Sequence, residues 1–152
     1  MNLITLTAER APDMAALHAL AFETPWDAPA ISALLAGPGV FALAVEGGGR
    51  LEAFILMRAI AGEAEILTLA TAPGFRRRGL ARALLDAGLK LSAQAGAEKV
   101  FLEVAHDNRA AIDLYQDCDF RPTGRRPAYY ARRSGPPADA IVLSRALDPT
   151  GA

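Results

Sequence analysis

Residues Arg76-Arg77-Arg78-Gly79-Leu80-Ala81-Arg82 combine cationic and small side chains between an apolar strand and a helix. At a helix N-terminus the first backbone N–H groups lack partners and the dipole favours negative charge, so this turn predicts a phosphate cradle. Small residues at 79 and 81 let an anion reach those amides, and the guanidinium groups add positive charge. The alternative is a solvated arginine run that closes a loop. Gly74 and Gly79 satisfy the outer glycines of a nucleotide-hydrolysing P-loop, but Leu80 and Ala81 stand where the lysine and the magnesium-binding hydroxyl belong. The dinucleotide pattern fails as well, because no Gly-x-Gly-x-x-Gly occurs here.

A second set of residues downstream can move protons. Glu103 lies inside the apolar run Val100 to Val104, and a carboxylate there either pairs with one of the arginines, reaches solvent at the strand end, or serves chemistry. Tyr115 falls on an apolar helical stripe with Ala111, Leu114 and Cys118, where it is a core tyrosine or a proton donor. Asn108 opens that helix and can cap it. Cys118 shares the buried stripe and has no histidine near it in sequence, which argues against a nucleophilic thiol. His18 has no second histidine or cysteine at ligand spacing, so it reads as a surface or packed histidine and no metal site is expected.

The elements that must position these groups can be read along the chain. Asn2 to Thr7 predicts a first strand. Pro12 can open a helix on which Met14, Leu17 and Ala21 recur at helical spacing up to Phe22. Glu23 to Pro29 breaks it, and Asp27 can cap a second helix from about Ala30 to Ala36. Trp26 stands in that break and fills the seam between the helices. Val40 to Val45 and Leu51 to Met57 read as strands of a hairpin whose turn, Glu46 to Arg50, is rich in glycine. The strand Ala64 to Thr71 feeds the cradle and a helix from Gly79 to about Gln94, with Leu80, Leu84, Ala87, Gly88 and Leu91 on one face. Lys99 to Val104 follows as a strand parallel to it, which puts the functional crevice at the carboxyl ends of the pair, near Thr71 and Glu103. Tyr129 and Tyr130, flanked by Arg125, Arg126, Arg132 and Arg133, precede a last strand, Ala140 to Ser144, and are read as an exposed loop packing over the sheet edge or as the lining of a groove.

The spacing Arg76-x-x-Gly79-x-Ala81 resembles the acyl-CoA pyrophosphate loop of the GCN5-related N-acetyltransferases (GNAT). The run from Leu102 through Glu103, Asn108 and Tyr115 to Phe120 resembles the ribosomal-protein-alanine, or RimI-type, branch of that superfamily. Ala64 to Ala70, Pro25-Trp26, Tyr129-Tyr130 and Asp139 to Leu143 extend the likeness over most of the chain. The resemblance implies an α/β (α+β) GNAT fold. Its mixed, mostly antiparallel sheet has six to seven strands with a central parallel pair, and about four helices accompany it.

The same resemblance implies acetyl-CoA as acetyl donor and no covalent enzyme intermediate. Leu69, Ala70 and Thr71 would bind the donor through backbone groups, and Arg76, Arg77, Arg78, Gly79, Leu80, Ala81 and Arg82 would hold its phosphates. Asn108 would cap its helix and also bond a donor amide. Glu103 becomes the general base, acting directly or through water, and Tyr115 the acid that protonates the departing thiolate. Trp26, His106, Tyr129 and Tyr130 fall along the acceptor groove. The branch implies a protein N-terminus as acceptor, most specifically the N-terminal alanine of a small-subunit ribosomal protein. Three positions differ from its common pattern: Ala105 in place of arginine, Asp107 in place of a small polar residue, and Asp119 in place of glycine.

Acidity favours that acceptor too, since an α-amino group with pKa about 7.7 to 8.0 is roughly 10 to 20% neutral at pH 7, against well under 0.1% for lysine. A small amine or lysine acceptor, and a CoA-binding module without chemistry, remain the competing readings.

Composition is consistent with one catalytic domain over residues 1–147 and a flexible tail over 148–152. The 152 residues are 52% hydrophobic, enough to bury roughly two thirds of the unfolded surface without disulfides or metal. Net charge is −1, which argues against nucleic acid as a partner. The single cysteine excludes an internal disulfide. No apolar run of membrane-spanning length and no leader pattern occur, so a cytoplasmic protein is expected.

Overall fold

A computed structural model describes residues 1–132 and 135–148. Arg133 and residues 149–152 of the expected tail lie outside the described residues. A seven-stranded sheet in the order β1-β2-β3-β4-β5-β7-β6 carries helices on both faces. The elements are β1 (Leu3–Leu6), α1 (Ala11–Ala21), α2 (Ala28–Leu35), β2 (Val40–Gly47), β3 (Arg50–Ile60), β4 (Glu63–Thr71), α3 (Leu80–Gln94), β5 (Lys99–Ala105), α4 (Arg109–Asp117), β6 (Arg121–Tyr130) and β7 (Ala138–Ala146). All ladders are antiparallel except β4 with β5. This is the GNAT fold expected from the sequence.

Local chemistry explains the boundaries. Pro12 stands in the first turn of α1, where a missing N–H costs nothing. The Asp27 carboxylate accepts from Ala30 N at 2.9 Å and caps α2. Gly48 and Gly49 both take positive φ in the β2–β3 turn, the conformation a tight hairpin demands. The apolar stripe of α3 lies slightly off the expected face: Leu84, Leu85, Gly88 and Leu89 are buried, whereas Leu91 is exposed.

Two separate cores result. On one face, α3 and α4 cover Val45, Ile55, Met57, Ile66, Val100 and Leu102. On the other, α1 and α2 cover Ala42, Ala44, Phe54, Leu56 and Ala70. Strand β4 contributes to both because its pairing with β3 skips a residue: Met57 faces Ile66 and Leu56 faces Thr68, so Leu67 is extra. Such a bulge reverses which face later side chains meet. Ala64 and Ile66 therefore pack under α3, and Ala70 packs with α1.

The expected loop around Tyr129 and Tyr130 is instead the edge strand β6. Pro122, Gly124 and Pro127 interrupt it, and every residue before Tyr130 is exposed, so it lacks the alternation by which strands are recognised. Proline is tolerated because the edge needs no donor on its open side.

Helix α3 sits close to the sheet at Gly88. A Cβ there would lie 2.6 Å from Met57 Sδ, and Met57 is fully buried. Gly88→Ala is expected to destabilise the protein by about 1 to 3 kcal/mol through overpacking, measured by chemical denaturation. An unchanged midpoint would show that the Met57 side chain repacks freely.

Candidate active site

The parallel ladder between β4 and β5 covers only Glu63 to Glu65 against Lys99 to Phe101. Beyond it the strands part, and two cavities fill the space at their carboxyl ends. One, of about 710 Å³, is lined by Leu69, Ala70, Thr71, Arg76, Arg77, Gly79, Leu80, Ala81, Arg82 and Asn108. The other, of about 380 Å³, includes Trp26, Glu103, Asn108, Tyr129 and Tyr130 in its walls. Leu69, Asn108, Ala111 and Tyr115 line both, so the cavities meet at the base of the splay.

The larger cavity has the chemistry of an anion site. Three arginines and no carboxylate line it, and the arginines at 76, 77 and 82 form no ion pair among the described residues. No side chain caps α3, whose N-cap, Gly79, has φ +79°. A Cβ at Gly79 would meet nothing within 4 Å, so it is the positive φ that favours glycine there. A diphosphate therefore fits the residues present. Arg78 does not line this cavity; its guanidinium lies 5.0 Å from the centroid of the Phe75 ring.

In the smaller cavity the Glu103 carboxylate is largely buried and its Oε1 lies 3.0 Å from Arg126 Nε. Glu103 is thus paired with an arginine while it lines the cavity. Tyr130 donates its hydroxyl to the Glu103 carbonyl at 3.0 Å, and burial, then Glu103, then Tyr129 push its phenol up to about 12. Tyr115 is 5% exposed, and burial drives its pKa upward first of all, with Tyr130 and Cys118 adding to it. The phenol accordingly keeps its proton at neutral pH. Asn108 Oδ1 accepts from Ala111 N at 3.3 Å, so it caps α4 from a position shared by both cavities. His106 lines neither cavity; its backbone N–H donates to Asp139 O. Cys118 is buried, its thiol is pushed up by that burial, and it too lies outside both cavities. Among the described residues no cluster of metal-ligating side chains occurs, and no helix is long and apolar enough to cross a membrane.

The sequence reads His18 as a surface or packed histidine and gives it no place in the site, whereas it lines the smaller cavity. It is 2% exposed and sits between Phe22 and Trp26, with ring centroids 4.2 and 5.0 Å away. Trp26 N–H donates to Nδ1 at 3.0 Å, so Nε2 carries the proton toward Thr68 Oγ1 at 3.1 Å. The Leu67 bulge is what turns Thr68 to this face. Only the helical spacing of His18 and Phe22, followed by Trp26, hinted at an aromatic stack.

Residues 10–120 match the acetyltransferase (GNAT) family, and the chain belongs to it. Among its relatives, the ribosomal protein bS18-alanine N-acetyltransferase of Escherichia coli (strain K12) is 33% identical over 96 residues, covering 63% of this chain and 64% of that protein. Mycothiol acetyltransferase of Clavibacter michiganensis subsp. michiganensis is 34% identical over 139 residues, covering 80% of this chain and 42% of that protein. The chain thus spans less than two thirds of the length of these curated relatives. The crystal structure of the ribosomal-protein-S18-alanine N-acetyltransferase from Escherichia coli superposes with TM-score 0.89 at 26% identity, covering 96% of this chain and 93% of that one. Arabidopsis thaliana NAA60 in complex with acetyl-CoA shares the fold, with TM-score 0.84 at 18% identity and coverage of 97% and 98%.

Burial holds the His18 pKa down at about 4, below the ordinary 6.5. Between those values the unfolded chain binds more protons than the folded one, so stability falls as pH falls from about 6.5, by at most about 3 kcal/mol near pH 4. Denaturation midpoints between about pH 6.5 and 5, above the carboxylate range, should fall for the wild type and flatten for His18→Gln. Equal slopes would remove His18 as the cause.

Proposed function

We propose that the chain transfers an acetyl group from acetyl-CoA to the N-terminal α-amino group of a protein, most specifically the N-terminal alanine of a ribosomal protein. The observation that carries this is the meeting of an arginine-lined, carboxylate-free cavity with one containing Glu103, at a junction lined by Tyr115. The likeness to ribosomal protein bS18-alanine N-acetyltransferases supports the acceptor.

In this reading the α3 N-terminus and Arg76, Arg77 and Arg82 bind the donor's diphosphate, while the β4 edge from Leu69 to Thr71 hydrogen-bonds its pantetheine arm. The backbone groups that β4 turns toward β5 beyond Glu65 have no strand partner, which suits them to that task. Arg126 holds Oε1 of Glu103 and leaves Oε2 as the oxygen for the acceptor's proton, directly or through a water. The amine nitrogen forms its bond to the thioester carbonyl carbon as the carbon–sulfur bond breaks. Glu103 takes the proton the nitrogen sheds, and Tyr115 gives its hydroxyl proton to the leaving sulfur. An amide and a free thiol result. Trp26, Tyr129 and Tyr130 wall the acceptor side.

A small-amine acceptor is the second reading, favoured by the likeness to mycothiol acetyltransferases over 139 residues. A panel of a peptide beginning with free alanine, the same peptide blocked but carrying lysine, and small amines separates the readings by CoA release. Turnover of the alanine peptide is expected, and turnover of small amines alone would sink the protein-acceptor proposal.

Glu103→Gln and Tyr115→Phe should each lower kcat by about 100- to 10,000-fold while calorimetry shows acetyl-CoA binding unchanged. Retained turnover in both would withdraw these roles. Arg77→Ala and Arg82→Ala should instead weaken acetyl-CoA binding, by roughly 3- to 30-fold each at low salt and less as salt rises. Loss of kcat without loss of donor affinity would contradict the cradle.

A further inference from the structure

We propose that Asp107 and Arg132 form a clasp that positions the acceptor wall, and so tunes acceptor affinity; the assignment rests on the reading of the smaller cavity as the acceptor site. Arg132 reaches Asp107 with both guanidinium arms, Nη1 to Oδ2 at 2.8 Å and Nη2 to Oδ1 at 2.7 Å. A two-pronged pair fixes the plane and direction of the arginine as well as its distance. The two residues follow different strands, Asp107 after β5 and Arg132 after β6, which flank β7 in the sheet. Arg132 ends the segment Tyr129 to Arg132, all of which lines the smaller cavity. Asp107 sits on the turn between β5 and α4, next to Asn108, which lines both cavities.

The rest of the segment is tied to the sheet. Arg125 and the Ala128 N–H both bind the Asp139 carboxylate, and Tyr130 binds the Glu103 carbonyl. Strand pairing of β6 ends at Tyr130 with Ala138. Ala131 and Arg132 lie past that last ladder pair, and the Asp107 fork ties their end of the wall to the turn between β5 and α4. Arg132 also feels the charge of Glu23, another residue lining the cavity. Its guanidinium holds the Asp107 carboxyl below the usual carboxylate range. Asp107 is one of the positions at which the sequence departs from the pattern of the RimI-type branch, and Arg132 supplies its physical reason. Neither side chain reaches the reacting atoms through this contact, so both are positioning residues.

The test is a double-mutant cycle with Asp107→Asn, Arg132→Gln and the two combined, using acetyl-CoA and the peptide beginning with free alanine. Each single change is expected to raise the peptide KM roughly three- to tenfold, with kcat and the acetyl-CoA KM unchanged. The double variant should be no worse than either single, because one contact is lost in all three. Arg132→Lys keeps the charge without the fork and should recover part of the loss. Amide hydrogen exchange at residues 129–132 should quicken in each variant, a readout that needs no acceptor. Additive KM effects, a change confined to kcat, or unaltered exchange would overturn the clasp. If the wild type turns over a small amine and not the peptide, the acceptor reading fails, and the same cycle on that amine together with the exchange data still decides the clasp.

Discussion

The site depends on two parallel strands that stop pairing. Strands β4 and β5 share three residue pairs and then separate, although both continue for several residues more. Backbone groups on the inner edges beyond that point lack the partners a sheet would give them, and buried backbone polar groups must be satisfied somewhere. A ligand with an amide-bearing arm answers that need. The same divergence opens the room in which Tyr115, from the helix after β5, stands between the cavities. The Leu67 bulge completes the arrangement by turning Thr68 and Ala70 toward α1 and α2. One strand therefore lines both cavities.

Charge is divided between the two spaces. Arginines and the uncapped start of α3 face the larger cavity, whose lining includes no carboxylate. The smaller cavity is walled by aromatic rings and a histidine that burial keeps neutral, with two carboxylates, Glu23 and Glu103, and Arg132 also in its lining; Arg126 holds Glu103. The exposed partner of Glu103 keeps the carboxylate compensated without sealing it from solvent.

The parts legible in the sequence were those with local signatures. Gly79 and the arginines announced the α3 N-terminus through residue type alone, and the hairpin glycines and the Asp27 cap were equally explicit. Glu103 and Tyr115 stood out because a carboxylate in an apolar strand and a phenol on an apolar stripe each need a reason. Strand β6 was not legible, since its register is imposed by β7 and its own residues carry no periodicity. The bulge at Leu67 left no trace because Leu67, Thr68 and Leu69 continue an apolar run whichever face they meet. The role of His18 depends on that bulge, so it stayed hidden with it. His106 and Arg78, named from their neighbours in sequence, lie outside the cavities although near neighbours of each line them; the Arg78 guanidinium lies over the Phe75 ring instead.

The two hydrophobic clusters lie on opposite faces of the sheet and touch different sets of helices. Energetically distant substitutions add, whereas those in contact interfere. Changes that reshape the α1–α2 side should therefore combine with changes beneath α3 as nearly independent increments. A scaffold divided in this way can have one face retuned while the other is left alone, which makes the chain a modular starting point for directed evolution.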